Sequence, residues 1–159
     1  MMTLQYKHFD DVLAPDFLPL LNDTTLRKHL IDHPRFDLQG VKRWMDDKMR
    51  INQQPGCRVR AVIIQGLLAG WCGIQLDEDG VELAIVIAQA HWGAGIAIFK
   101  EMMCWAREMG HTEVRFHLLD SRPAYAALAS KASRVEKTHL SGRVFTTYFL
   151  SVESWFAAC

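Results

Sequence analysis

The segment that most constrains this chain runs from residue 81 to 119. A strand-like run, Val81-Glu82-Leu83-Ala84-Ile85-Val86-Ile87, passes through a loop carrying Gly93 and Gly95 into a helical pattern. That pattern spans Gly95–Glu108 and meets Gly110, a residue that readily takes the left-handed conformation closing a helix. A second strand-like run follows at 112–119. The helix carries Ile96, Ile98, Phe99, Met102, Met103, Trp105, Ala106 and Met109 over an arc too wide for a surface position, so a sheet must cover it. These Met and Trp residues are therefore core, not a cofactor pocket. Strand, long crossover helix and strand in that order require a mixed α/β fold.

The rest of the chain agrees with that frame. A short strand is expected at 4–9 and a helical stretch from Phe17 to Leu21, after which Asn22-Asp23-Thr24 would cap a second short helix through Leu26, Leu30 and Ile31. Asp37 would cap a clearer helix, with Val41, Trp44, Met45 and Met49 as its apolar stripe and Lys42, Arg43, Asp46, Asp47, Lys48 and Arg50 as its wet side. Residues 58–64 and 67–76 read as strands joined by a tight turn at Gln65-Gly66, and the turn Asp77-Glu78-Asp79-Gly80 leads into 81–87. Arg122-Pro123 opens a shorter helix to about residue 132. A last hairpin, 134–140 and 143–150, turns at Ser141-Gly142. With no internal repeat or linker, the expectation is one domain over residues 1–159: a mixed, mostly antiparallel sheet of about 6–7 strands flanked by helices.

Composition enters through what it excludes. Lys and Arg total 18, matched by 18 Asp and Glu, so the bulk electrostatics that favour nucleic acid or an anionic membrane are missing. No apolar run reaches the roughly 20 residues that span a bilayer. Residues 1–7 lack the apolar core of a signal peptide, and a cytoplasmic protein is expected. Cys57, Cys72, Cys104 and Cys159 form no CxxC pair, and the seven histidines show no HExxH or i,i+4 pairing; no metal is expected.

Chemistry concentrates where the strand becomes a helix. A loop with two glycines opening a helix presents backbone N–H groups and a positive dipole end, which suit a phosphate or pyrophosphate. No Gly-Lys-Ser/Thr follows, so it is not a Walker loop. Ile98 stands where a dinucleotide fingerprint needs glycine.

The stretch Trp92-Gly93-Ala94-Gly95-Ile96-Ala97 resembles motif A of the GNAT superfamily of acyl-CoA-dependent N-acyltransferases, with Trp92 where many relatives carry Arg or Gln. Leu21-Asn22-Asp23, the run from Phe36 through Trp44, and Gln65 through Ile74 are similar to the branch that acetylates ribosomal-protein N-termini. The resemblance implies acetyl-CoA as acyl donor and direct transfer to an amine, on a small molecule or a protein N-terminus. It implies pantetheine pairing along Leu83, Ala84, Ile85, Val86 and Ile87, and pyrophosphate held by amides from Ala94 to Ala97, with Gly93 and Gly95 clearing space. Relatives often carry a cation at the Ala94 position, so its absence implies weaker cofactor binding.

Three residues are candidates for proton transfer. Glu82 matches a strand carboxylate that serves related enzymes as base, the competing reading being a solvated strand residue. His91 is the second base candidate, the competing reading being a loop-shaping residue. The family's acid Tyr is replaced by Ala129. Tyr125, one turn earlier on the same helical face, is the alternative acid, although a thiolate also leaves without one. The competing functional reading is a CoA-binding domain with a sensing or interaction role. Exposed strand edges and the tail Trp155-Phe156-Ala157-Ala158 invite pairing into a homodimer.

Overall fold

The structure is a computed structural model, and it describes residues 3–24, 35–119, 126–140 and 142–157. Seven strands form one sheet in the order β1-β2-β3-β4-β5-β7-β6: β1 Leu4–Lys7, β2 Arg58–Ile64, β3 Leu67–Asp77, β4 Gly80–Ile87, β5 Glu113–Leu119, β6 Arg134–Leu140 and β7 Arg143–Ser151. Every neighbouring pair is antiparallel except β4 with β5, the pair joined by the crossover helix. The mixed, mostly antiparallel sheet expected from the sequence is present.

Local chemistry explains the boundaries. Gln65 and Gly66 both take positive φ, 52° and 82°, as a two-residue turn matching strand twist demands. The Asp77 carboxylate accepts from the N–H groups of Asp79 and Gly80 at 2.8 and 2.9 Å, closing the β3–β4 turn. Helix α1 is Ala14–Leu21 and α2 is Leu38–Asn52; the Asp37 carboxylate caps α2 by accepting from Gly40 N at 2.6 Å. Helix α3 is Gly95–Glu108, followed by Gly110 at φ 81°. Two short helices, α4 Ala126–Lys131 and α5 Val152–Ala157, complete the described elements.

The strand period sends alternate residues to two cores. On one side of the sheet α3 packs Ile98, Phe99, Met102 and Met103 against Val62, Cys72, Ile74 and Leu83, all essentially inaccessible. Burial pushes the Cys72 thiol well above its usual range, consistent with an inert core residue. On the other side α1 and α2 cover Val59, Ala61, Trp71 and Val86 with Phe17, Val41 and Met45. Trp44 is the aromatic hub there, 5.2 Å from Phe17 and 5.7 Å from Trp71.

Three expectations need correction or restriction. The Asn22 side chain is committed to the Phe36 backbone, donating to its O and accepting from its N at 2.8 Å each, so it ties α1 to the approach to α2. The short helix expected beyond it lies outside the described residues. Lys48 is not on the wet side of α2: it lies over the Trp71 ring at 4.4 Å and donates to Gln75 Oε1 at 2.7 Å, burying its stem on the indole. The apolar tail folds back as α5, where Trp155 is buried and meets Phe99 edge-on at 5.4 Å. Its largest ring therefore serves this chain's own core rather than an outer face. Among the described residues, no helix is long and apolar enough to cross a membrane, and no His, Cys, Asp and Glu group could hold a metal ion.

Candidate active site

The sheet parts at its centre. Strands β4 and β5 pair with each other only at Glu82↔Arg115 and Leu83↔Phe116; beyond that point β4 continues to Ile87 and β5 to Leu119 without pairing to one another. The orientation of the freed backbone follows from the β3 side. Ala88 N–H donates to Ala69 O at 2.9 Å, so even-numbered residues of β4 face β3. Leu83, Ile85 and Ile87 therefore turn their N–H and C=O groups toward β5, and Ile85 is the first beyond the last pair. That is an unpaired strand edge inside the sheet rather than at its rim.

The edge leads into the glycine loop. Residues Gln89–Ala94 form a 3-10 turn, and α3 starts at Gly95 with no side chain capping Ala94. The N-terminus of a 14-residue helix thus stands at the end of the seam without a side-chain cap, its Gly95 N–H bonded back to Trp92 O. Gly93 is exposed, and a Cβ added there would meet no heavy atom within 4 Å. Gly95 is buried. Ala94 is buried too, 1% exposed over the whole residue, with its methyl in the α3-side core. Trp92 donates its indole N–H to Ile87 O at 3.2 Å, bracing the loop against the end of β4 and occupying one edge acceptor. The seam itself is tight. Ile85, Ile87, Gly95, Ile96, Phe99, Phe116 and Leu128 surround a cavity of about 10 Å³, so a chain lying in it must spread apolar walls.

The charged residues gather at the vertex of the parting, on the side covered by α1 and α2. Glu82 lies between Gln75 of β3 and Arg115 of β5 in register. Burial pushes its carboxyl above the usual range, Asp77 adds to that, and Lys48 and Arg115 oppose it. Burial likewise lowers Lys48, with Glu82 and Asp47 opposing. Arg115, nearly buried, donates from Nη2 to Asp77 Oδ1 at 2.5 Å and leaves its buried Nε without a hydrogen-bond partner. Burial pushes Asp77 up, but its bonds from Arg115, Asp79 N and Gly80 N outweigh that and hold the carboxyl low. A groove of about 410 Å³, lined by His8, Asp10, Asp46, Asn52 and others, opens on this side and reaches Lys48.

The sequence candidates separate into two places. Glu82 is at the vertex, whereas His91 sits in the 3-10 turn beyond the far end of β4. The five residue steps from Glu82 to Ile87 alone put about 16 Å between the two. Ala84, Ile85, Val86 and Ile87 line the strand between them, and Trp92, Gly93, Ala94, Gly95, Ile96 and Ala97 form the loop and first helical turn. Ala129 is exposed on α4 and carries no hydroxyl. Tyr125 lies outside the described residues. Sequence reasoning passed over His117, which stands one residue beyond the last β4–β5 pair and on the Arg115 side of the sheet. The signal for its side was the alternation Val114, Phe116, Leu118 against Arg115, His117 within β5.

A family model described as an acetyltransferase (GNAT) domain matches residues 3–133. A comparison with curated protein sequences gave no significant match. Among solved structures, the chain is similar to spermidine N-acetyltransferase from Vibrio cholerae, solved with CoA and spermine, at TM-score 0.70 and 16% identity over 98% of each chain. It is similar to RimL, a ribosomal-protein α-N-acetyltransferase solved with coenzyme A, at TM-score 0.75 and 16% identity over 96% of each chain. An acetyltransferase of the GNAT family from Streptococcus pneumoniae superposes at TM-score 0.64 with 14% identity, covering 95% of this chain and 99% of that one. At these identities the likeness is one of fold.

Proposed function

This chain belongs to the GNAT acetyltransferase family, and on that premise we propose that it moves an acetyl group from acetyl-CoA to a primary amine by direct attack. The observation that carries the reading is the parting of β4 from β5, with a free strand edge leading to a helix N-terminus without a side-chain cap. A pantetheine arm is rich in amides and binds as a strand does, so Ile85 and the Ile87 N–H are its natural partners. The amides of the first turn of α3, Ile96 and Ala97 with the Ala94 backbone, receive the pyrophosphate. Gly93 leaves room for the cofactor to approach. The buried Ala94 methyl offers no cation at this point, so affinity rests on backbone groups. The whole chain, residues 1–159, acts as one such domain.

The acceptor is a small-molecule amine or a protein N-terminus, mostly protonated at neutral pH. Glu82 takes its first proton, directly or through a water. Its raised carboxyl pKa, caused by burial and then Asp77, moves it toward the range in which a carboxylate works as a base at neutral pH. Lys48 and Arg115 keep it ionised enough to act.

One observation favours a second reading, a CoA-binding domain with little turnover: Ala129, exposed on α4, stands where the resemblance calls for a hydroxyl acid. A thiol-release assay with acetyl-CoA against polyamines and N-terminal peptides separates the two. Amine-dependent release supports the transferase. Calorimetric binding of acetyl-CoA with no release for any amine supports the second reading.

A further inference from the structure

The residue that most needs a role is His117. It is the first residue of β5 past the last rung shared with β4, on the side where Glu82 and Arg115 lie. Its neighbours on β5, Phe116 and Leu118, point into the α3-side core, and the His117 ring is only partly buried. Nδ1 lies 2.7 Å from Thr147 Oγ1, and Thr147 is 1% exposed, one of two buried polar residues among those described. Thr147 Oγ1 in turn lies 2.7 Å from Thr138 Oγ1 on β6. Phe145 closes on the imidazole edge at 6.4 Å between centroids. The ring is thus held through one nitrogen by a buried hydroxyl chain. Among the described residues its other nitrogen, Nε2, has no hydrogen-bond partner.

We propose that His117 is a catalytic residue, its Nε2 taking the second proton from the attacking nitrogen, and that Thr147 is the positioning residue that fixes its tautomer. The proposal rests on the acetyltransferase reading. Acetylation of an ammonium requires two protons to leave nitrogen, one before attack and one as the amide forms. Glu82 receives the first. As the nitrogen–carbon bond forms and the carbon–sulfur bond breaks, the nitrogen's surplus proton moves to Nε2, and the imidazolium returns it to the departing sulfur, giving the free thiol. The net products are the amide, CoA thiol and the one proton left on Glu82 for solvent, which balances charge and atoms. For this Nε2 must carry a lone pair, so Nδ1 carries the hydrogen and donates to Thr147, which donates on to Thr138.

The surrounding charges agree. Burial lowers the His117 pKa and Arg115 lowers it further, while Asp77 opposes, which favours the neutral ring. Other charged groups on this side are Glu82 on β4, Lys48 from α2, Asp79 in the turn, and the Arg134–Glu136 pair on β6, closed at 2.9 Å.

The first test needs no turnover. In nitrogen NMR of the ligand-free protein, His117 should show the Nδ1-protonated tautomer and titrate below the ordinary histidine range. An Nε2-protonated ring that titrates normally overturns the proposal. The second is kinetic. His117→Gln should lose about 100-fold in kcat with unchanged acetyl-CoA affinity, and the acid limb of its kcat/KM profile should lose the His117 ionisation and keep that of Glu82. Thr147→Val should lower kcat about tenfold, and Thr147→Ser should restore it. His117→Gln that binds acetyl-CoA normally and keeps wild-type kcat and pH profile refutes His117 while leaving the transferase standing. A wild-type protein that acetylates no amine refutes both.

Discussion

Replacing Gly70 by alanine tests whether the seam depends on close approach of β3 to β4. A Cβ built on Gly70 would lie 2.0 Å from Val86 O, 2.7 Å from Ile87 Cα and 2.8 Å from Ile87 Cγ2. Two of these three atoms are backbone, so no rotamer change relieves the clash. A carbon sits about 3.3 Å or more from a carbonyl oxygen, so β4 must retreat by about 1.3 Å, far beyond the play in a strand spacing near 4.8 Å. The Ala88 N–H bond to Ala69 O, now 2.9 Å, and the Gly70↔Ile87 pairing lie directly in the path. Overpacking costs about 1–3 kcal/mol and a weakened hydrogen bond about 1 kcal/mol more, so Gly70→Ala should lose roughly 3 kcal/mol. For a chain of this size that is a fall of about 6–12 °C in Tm. The displaced atoms belong to the edge assigned to pantetheine, so acetyl-CoA affinity should fall as well. Circular dichroism melts and calorimetry with acetyl-CoA measure both. A variant melting within 2 °C of wild type with unchanged affinity would refute the packing argument.

Gly93→Ala is the complementary change: its φ is not positive and its Cβ meets nothing, so Tm should hold while the acetyl-CoA Kd rises about tenfold, or 1.4 kcal/mol. An unchanged Kd would remove Gly93 from the binding loop. Glu82→Gln should lower kcat by about 100-fold. It should also raise Tm at pH 7.5. The Glu82 pKa is raised in the folded chain, so folded protein binds the proton more readily and stability falls as pH climbs through that raised value. The Tm gain should vanish near pH 4, where both states are protonated, and a Tm gain that persisted there would contradict the linkage. Trp155→Ala removes a ring packed on Phe99 and should cost about 3–5 kcal/mol, read as a Tm loss of roughly 6–20 °C. A smaller loss than 2 °C would mean that α5 is not part of the core.

What the sequence made legible was local. The strand at 58–64 and the helix Gly95–Glu108 have the boundaries expected, because turn and stop residues such as Gln65, Gly66 and Gly110 mark their ends chemically. The burial of Met102 and Met103 followed from helical period alone. The candidate site was proposed from the sequence only where it lies in one continuous segment, from Glu82 through Ala97. His117 was passed over because its place beside the parting depends on the register of β5 against β4, and parallel pairing across a crossover leaves no mark in the sequence near either strand. Lys48 was misplaced for a related reason: helical period assigns a face, while the Trp71 ring that draws its stem inward comes from another element. Ala94 shows the converse limit, since a motif position that looks exposed in a glycine loop is 1% exposed once the 3-10 turn forms.

The brief contact between β4 and β5 has a mechanical meaning. Strands β1 to β4 form one plate and β5, β7 and β6 another, and among the described residues the plates are joined by two backbone rungs, the Arg115–Asp77 ion pair and the packed helices. Such a molecule resembles a split beam whose crack stops short of the end. A strand-like guest laid in the crack supplies the missing rungs and converts two loosely coupled plates into one continuous beam. Such a guest would thus stiffen β6, at the far edge, without touching it, completing the fold in the same act by which it fills the seam.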